Sequence, residues 1–269
     1  MAAQPQTVSK APEHARPRLI SEWSGLTPGT STTIAVSFDI DPQWHLYWRG
    51  QSETGMPVRM QLSGPEGFEF GEVLWPAPHR HAPAEDILDH IHEGQLTLIV
   101  PVKVPATVAP GTSVDVRCSL EWLVCNESCI PGSAKLSLSL PVLAAGTSPV
   151  KTADAPRFDR TRATLPIAVP AGKVAASPVE ATLVDGRLDV RVPGATSLEF
   201  YPEKESSNPT DLIKDGHAEG DRLSIGFQAA PGSKILASGV VAAARSGGQT
   251  TYYSLRVAEP GTEHPPEVR

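Results

Sequence analysis

The stretch Val114-Asp-Val-Arg-Cys-Ser-Leu-Glu-Trp122 has the clearest structural pattern in the chain. Its apolar residues fall at even positions and its polar residues at odd ones, which is the two-residue period of a β-strand with one buried face. The same period recurs on both sides in shorter runs, and the chain's 27 prolines and 22 glycines mark the turns between them. Helical patterns are few. The sequence therefore predicts an all-β fold with antiparallel strands.

The predicted strands form two groups. The first group comprises residues 34–40, 58–62, 96–104, 114–124 and 134–140. The second group comprises residues 179–184, 187–192, 198–201, 223–227, 235–244 and 252–257. In the second group, Asp185-Gly186 is a two-residue hairpin signal. Each group has enough strands for an antiparallel β-sandwich, so two such domains joined by a linker are predicted.

Changes in composition give the expected domain limits. They are a disordered leader at residues 1–17, a first sandwich at 18–144, a linker at 145–165, a second sandwich at 166–258 and a C-terminal tail at 259–269. The linker is expected where Gly, Thr, Ser, Pro and alternating charges replace the strand pattern. Within the first domain, residues 85–92 are interpreted as a loop because Pro83 and Gly94 bracket them.

Charge and hydropathy exclude several classes of partner. The net charge is −7, the isoelectric point is about 5.6, and no run of Lys or Arg could neutralise phosphates, so no nucleic-acid or anionic-membrane partner is expected. No stretch approaches the roughly 18 apolar residues of a spanning helix. The N-terminus has no signal-peptide pattern, although a mature secreted N-terminus remains an open interpretation. No Gly-x-Ser-x-Gly or phosphate-binding glycine loop is found.

All three cysteines lie within twelve residues of the first domain, at Cys118, Cys125 and Cys129. Strand parity points Cys118 toward the core as a buried free thiol. The same counting gives Cys125 and Cys129 the outward parity. The two are therefore expected to meet across the turn Asn126-Glu127-Ser128.

The sequence alone leaves three roles open for this pair. Closing a loop of about five residues stabilises a fold by only about 2 kcal/mol, against nearly 5 for a loop of about a hundred, so a structural disulfide here would be a weak one. A short-loop disulfide at a turn suits reversible redox exchange instead. The third role is zinc or copper binding together with His79, His81, His90 and His92, whose more ordinary interpretation is as solvated loop residues.

Three segments resemble the N-terminal periplasmic domain of the DsbD family of thiol-disulfide interchange proteins, and within it the ScsB branch. They are Trp44-His-Leu-Tyr-Trp-Arg49, the Trp75-Pro76 turn and Trp122-Leu-Val-Cys-Asn-Glu-Ser-Cys-Ile-Pro-Gly132. The resemblance covers about residues 20–142. It implies immunoglobulin-like sandwich domains and location in the periplasm, as a soluble fragment of an inner-membrane protein.

The resemblance also implies a site. Cys125 and Cys129 match the family's redox pair, with Cys129 as the partner-bonding sulfur and Cys125 as the resolving one. Tyr47, with Trp48 beside it, matches an aromatic lining, whose alternative is ordinary strand packing. The family's cap loop corresponds here to Glu85, Asp86, Ile87 and Leu88. This chain departs from the family in two ways, because only three residues separate its cysteines and the cap's aromatic residue is absent.

The expected partners follow from the same resemblance. A membrane-embedded electron-transfer domain of the parent protein would supply electrons by way of a thioredoxin-like domain, and thioredoxin-like periplasmic proteins would receive them. No cofactor is expected, because the two sulfurs carry the chemistry. The alternative is a non-enzymatic metal-binding or adaptor module with a structural disulfide.

Overall fold

The computed structural model describes residues 14–169, 177–229 and 233–259 of the chain. Its strands are β1 (Ala15–Ser21), β2 (Ser31–Ile40), β3 (His45–Tyr47), β4 (Arg59–Ser63), β5 (Glu69–Phe70), β6 (His79–Ala84), β7 (Ile87–Glu93), β8 (Gln95–Lys103), β9 (Ser113–Cys125), β10 (Cys129–Pro141), β11 (Ile167–Ala168), β12 (Glu180–Val184), β13 (Arg187–Arg191), β14 (Ser197–Pro202), β15 (Asn208–Pro209), β16 (His217–Glu219), β17 (Arg222–Gln228), β18 (Leu236–Ala244) and β19 (Thr250–Ala258). Its helices are α1 (Ala155–Arg162) and α2 (Leu212–Asp215). The predicted all-β fold class is confirmed.

The chain divides into two compact units. The first contains residues 14–48, Gly55–Pro76 and Ile91–Leu165, and the second contains Arg49–Thr54, Ala77–His90 and the described residues from Pro166 onward. The expected domains were continuous in sequence. Two short inner segments of the expected first domain belong instead to the second unit.

The first unit has two sheets around one core. One sheet has the order β1-β2-β8-β5, and the other runs β10-β9-β3-β7, with β4 also paired to β9. The predicted alternation in β9 is confirmed, since its burial alternates residue by residue as far as Trp122. Trp122 packs edge-on against Phe38 of β2, with ring centroids 5.2 Å apart. The apolar face of β9 therefore faces this core.

The second unit is also built from two sheets, with the orders β11-β19-β18-β14-β16 and β12-β13-β17-β15. The β11–β19 pair is parallel, and the other pairs in these sheets are antiparallel. The predicted hairpin is present, because Asp185 and Gly186 both have positive φ angles, of 48° and 73°. Such angles match the twist of the two strands that they join. Leu188, Phe200 and Ile225 are fully buried in the core of this unit.

The predicted linker is wrong over residues 155–162. These residues form α1, and its Phe158 is fully buried among Ile20, Ala35 and Ile99 of the first unit. Arg162 forms an ion pair with the buried Glu22 carboxylate, with an N–O distance of 2.5 Å. Polar residues surround a single large apolar side chain in this segment, so the sequence has no helical hydrophobic period to recognise.

The predicted leader is wrong at its end, because β1 already begins at Ala15 and pairs with β2. Residues 1–13 of that leader lie outside the described residues, as do residues 260–269 of the predicted tail. No helix in the described parts of the chain is long and apolar enough to cross a membrane.

The predicted loop at residues 85–92 is wrong as well, because β6 and β7 form a hairpin there. His90 and His92 of β7 are buried rather than solvated. Asp89 is buried too, and its carboxylate accepts hydrogen bonds from Ser52 and Thr54. Burial raises the pKa of Asp89, but these hydrogen bonds outweigh burial and leave the pKa below its usual value. Satisfied buried polar residues hide a strand from a search for alternating hydrophobicity.

Candidate redox site

The site is a disulfide at the tip of the β9–β10 hairpin. Cys125 ends β9, Cys129 begins β10, and the register places the two residues directly opposite each other. Their sulfurs are bonded, and their Cα atoms lie 4.2 Å apart. The three-residue turn between them closes with a hydrogen bond from the Asn126 N–H to the Ser128 carbonyl. The predicted pairing across this turn is confirmed.

The two sulfur-bearing residues differ in exposure. Cys129 is exposed, whereas Cys125 is only 1% exposed. Cys125 has the predicted parity, opposite to that of Cys118, but the side it faces is not open. It packs with Tyr47, Ile91 and the partly buried Leu123. The sequence predicted the face of the strand but not the residues that cover it.

Tyr47 of β3 lies against the disulfide. Its hydroxyl is 3.8 Å from the Sγ atom of Cys129, a distance compatible with a weak hydrogen bond to sulfur. His45 packs edge-on against the Tyr47 ring, with centroids 5.2 Å apart, and pairs with Cys125 across the two strands. The structure therefore brings Tyr47 to the pair, and it adds His45, which sequence reasoning missed.

Gly55 is a second residue that sequence reasoning missed. A Cβ atom at this position would lie 2.1 Å from a ring carbon of Tyr47. Real side chains essentially never approach so closely. Only glycine leaves room for the tyrosine ring in its observed position. A glycine after a polar segment and before Met56-Pro57 carries no signal of this in sequence.

Cys118 is separate from the pair. It is a free thiol, 2% exposed, and its register neighbours are Leu62 on β4 and Leu136 on β10. Burial raises the pKa of its thiol to about 12. Since the thiolate is the reactive form, Cys118 is inert near neutral pH. The predicted buried free thiol is confirmed.

The remaining predicted site residues are not among these contacts. Trp48 is 1% exposed, and it does not belong to the cluster around Cys125. Glu85 and Asp86 form the exposed turn of the β6–β7 hairpin, Ile87 is partly buried and Leu88 is buried, all four within the second unit. Their shielding role stays a prediction.

The structure gives no support to a metal centre in the parts of the chain that it describes. No group of three or more His, Cys, Asp or Glu side chains is placed there to hold an ion. His79 and His81 lie on β6 and are not buried, whereas His90 and His92 are enclosed. The four histidines considered as ligands therefore have different environments.

Comparison with known proteins gives the family of this site. Residues 16–141 match the family model described as the N-terminal part of thiol:disulfide interchange protein DsbD. These 126 of the chain's 269 residues are therefore similar to a DsbD N-terminal domain. The match contains both Cys125 and Cys129, so the disulfide lies within a thiol-disulfide interchange domain.

A solved structure extends the likeness of fold to nearly the whole chain. The N-terminal periplasmic domain of ScsB from Proteus mirabilis aligns with a TM-score of 0.60 and 17% identity, covering 94% of this chain and 97% of that one. At 17% identity, the alignment shows that the two proteins share a fold and nothing more. The E. coli chaperone DraB aligns over 89% of this chain with 11% identity and a TM-score of only 0.26, too low to support an argument. No curated protein matches the chain.

Proposed function

We propose that this chain relays electrons in the periplasm through a reversible Cys125–Cys129 disulfide. It would accept them from a membrane-embedded reductase, by way of a thioredoxin-like domain, and pass them to proteins that carry disulfides. The observation that carries the proposal is the difference in exposure between the sulfurs, since Cys129 is open to a partner and Cys125 is covered.

The first step toward a substrate begins with both cysteines reduced. The Cys129 thiolate attacks one sulfur of the partner's disulfide and forms a mixed disulfide, and the partner's other sulfur leaves as a thiolate. Cys129 is assigned this role because an attacking sulfur must be accessible. The weak contact from the Tyr47 hydroxyl would help to stabilise a thiolate at Cys129.

The second step releases the partner. The Cys125 thiolate attacks the Cys129 sulfur, the Cys125–Cys129 bond forms, and the partner's second thiolate leaves. Two electrons have then passed to the partner, and its thiolates take up protons from water. A reduced thioredoxin-like domain restores the starting state by the same two steps in reverse. Neither step needs a cofactor.

The turn Glu85–Leu88 is proposed to shield the reduced pair from small oxidants. Its support is the match in position to the family's cap loop. Replacing Asp86 and Ile87 with glycine should speed oxidation of the reduced pair by a small disulfide. Val184→Gly, at an exposed residue beside the Asp185-Gly186 turn, is the control within the same unit. Equal rates in all three proteins would leave this turn with no shielding role.

The second unit is proposed to orient the redox domain without taking part in exchange. Its support is chemical, because the chain has only three cysteines and all of them lie in the first unit. Exchange therefore has to occur in the first unit, whatever the second unit contacts.

Equilibration with glutathione buffers tests the proposed function. The fraction of reduced Cys125–Cys129, measured by alkylation and mass spectrometry, should follow a single two-electron transition. The expected potential lies above about −300 mV, the level below which structural disulfides resist the glutathione pool. A pair that stays oxidised in every buffer would be a structural disulfide, and the proposal would be wrong.

A further inference from the structure

The strand that carries Cys129 lies at an edge of its sheet. β10 pairs with β9 on one side, and no other strand pairs with residues 129–139 in the parts of the chain that the structure describes. An unpaired edge presents backbone N–H and C=O groups that can accept another strand.

The geometry of the hairpin determines which backbone groups of β10 point outward near Cys129. In antiparallel pairs, opposed residues with Cα atoms about 4.5 Å apart do not exchange backbone hydrogen bonds, and their N–H and C=O groups point away from each other. The 4.2 Å separation of Cys125 and Cys129 indicates such a pair. The next pair toward the turn, Asn126 and Ser128, does form a backbone hydrogen bond, as expected because bonded and non-bonded pairs alternate along an antiparallel ladder. The backbone groups of Cys129 therefore face the free edge.

The C-terminal end of β10 gives an independent check of which residues direct their backbone groups to the free edge. Pro141 is an even number of residues from Cys129, so its carbonyl should also face outward. It accepts a hydrogen bond from the N–H of Leu26, at 2.8 Å, on the side away from β9. The odd-numbered residues of β10 thus share one edge, and Leu26 closes that edge at its C-terminal end.

Pro131 limits the open edge near the sulfur. Proline has no N–H, and it is tolerated here because that position faces outward rather than into the β9–β10 ladder. The groups available beside the site are both backbone groups of Cys129, the carbonyl of Pro131 and both backbone groups of Ser133. This window is about three pairing positions long, which suits a short segment rather than a full strand.

We infer that the exchange partner docks by adding a short extended segment, next to its own reactive cysteine, to the edge of β10 from Cys129 to Ser133. The inference rests on the proposed function. A disulfide commonly holds two Cα atoms about 5.5 Å apart, which is also the Cα separation of two opposed residues that exchange hydrogen bonds in an antiparallel pair. A partner cysteine bonded to Cys129 therefore lies at strand distance from β10, and β9 already occupies the other side. The Cys129 side chain is exposed on the same face as Pro131 and Ser133.

Proline substitution along this edge tests the inference. Ser133→Pro removes one outward N–H beside the site without touching the β9–β10 ladder. Ser137→Pro is the matched control, because it removes an equivalent N–H farther along the same edge. The rates of disulfide exchange are measured with the reduced thioredoxin-like domain of a DsbD-family protein, and separately with dithiothreitol, which needs no docking.

The loss of one hydrogen bond should slow exchange of Ser133→Pro with the thioredoxin-like domain roughly fivefold. Its rate with dithiothreitol and both rates of Ser137→Pro should stay at the wild-type value. A wild-type rate for Ser133→Pro, or equal slowing in Ser137→Pro, would overturn the docking mode and leave the proposed function intact. A wild-type chain that dithiothreitol reduces but the thioredoxin-like domain does not would overturn both.

Amide hydrogen exchange provides a second readout that is independent of rates. The complex is made from Cys125→Ala and a thioredoxin-like partner that keeps one cysteine, activated as a disulfide with thionitrobenzoate, which leaves when the Cys129 thiolate attacks. The mixed disulfide on Cys129 then persists, because neither chain has a resolving thiol. In that complex the Ser133 amide should exchange at least about tenfold more slowly than in the free chain, as a hydrogen-bonded amide does. The Ser137 amide should be unchanged. An unprotected Ser133 amide in the complex would overturn the inference.

Discussion

At the scale of single residues, the three cysteines share one hairpin but have three different environments. Cys118 is buried with a raised pKa, Cys125 is covered by Tyr47 and Ile91, and Cys129 is exposed. Burial suppresses the thiolate, and exposure gives access to a partner. The chemistry of each sulfur therefore follows from its place along the strand pair.

Cys118→Ala should lower the free energy of unfolding of the first unit by about 1 kcal/mol, because a small cavity replaces the sulfur. Exchange through the disulfide should be unchanged. All five tryptophans lie in this unit, so their fluorescence in a urea titration reports its unfolding. Loss of exchange in a folded Cys118→Ala protein would show that the core thiol takes part in the chemistry.

Gly55→Ala should disturb the site from outside the hairpin. The added methyl group displaces the Tyr47 ring, so we expect destabilisation of about 1 to 3 kcal/mol and a changed rate of alkylation at reduced Cys129. Gly71→Ala is the control, because its nearest neighbour would be Pro101 at an ordinary contact distance of 3.4 Å. Equal behaviour of the two variants would show that Tyr47 does not depend on Gly55.

At the scale of elements, the sequence predicted those strands in which one face is core and the other is solvent. β9 is the clearest case, and its parity correctly separated Cys118 from Cys125. Alternating hydrophobicity does not reveal β3, whose three residues are all buried, or β7, whose buried residues include Asp89, His90 and His92. Strands covered on both sides, or satisfied by polar contacts, have no alternating pattern to find.

His90 on β7 should make stability depend on pH. Burial lowers the pKa of its imidazole from 6.5 to about 4, and its Nδ1–H donates to the Gln51 carbonyl. Its folded pKa lies below its unfolded one, so its stabilisation is present above pH 6.5 and is lost as the pH falls toward 4. The expected loss is about 2 to 3 kcal/mol at pH 4.5.

The measurement is equilibrium unfolding in urea at pH 7 and pH 4.5. His90→Asn keeps an N–H donor but cannot be protonated in this range, so it should show a smaller loss than the wild type. His79→Asn, at an exposed histidine of β6, should retain the wild-type loss. The same pH dependence in all three proteins would contradict a buried neutral His90.

At the scale of the whole molecule, the chain folds into two units whose sequences interleave. The sequence pattern placed the transition near residue 165 but could not assign segments 49–54 and 77–90 to the second unit. That assignment depends on long-range pairs such as the Arg49–Glu203 ion pair, at 2.7 Å. Pairs separated by so many residues leave no trace in local periodicity.

Truncation should show where the first unit ends. A chain ending at Ala145 lacks Phe158 and leaves buried Glu22 without Arg162, so it should be less stable by several kcal/mol than a chain ending at Leu165. Tryptophan fluorescence in urea compares them. Equal stability would mean that α1 is only a linker.

The longer fragment also tests the role of the second unit. If that fragment folds but no longer accepts electrons from the thioredoxin-like donor, the second unit is part of the recognition surface.

In the proposed mechanism, a reversible disulfide exchanges through its exposed sulfur, Cys129. The test is mass mapping of the adducts formed when Cys125→Ala and Cys129→Ala react with a thioredoxin-like partner that keeps one cysteine, activated as a disulfide with thionitrobenzoate as the leaving group. Cys125→Ala should accumulate a mixed disulfide at Cys129, whereas Cys129→Ala should form essentially none, because Cys125 is covered. Rapid adduct formation at Cys125, or an adduct at Cys118, would show that exchange does not run through Cys129.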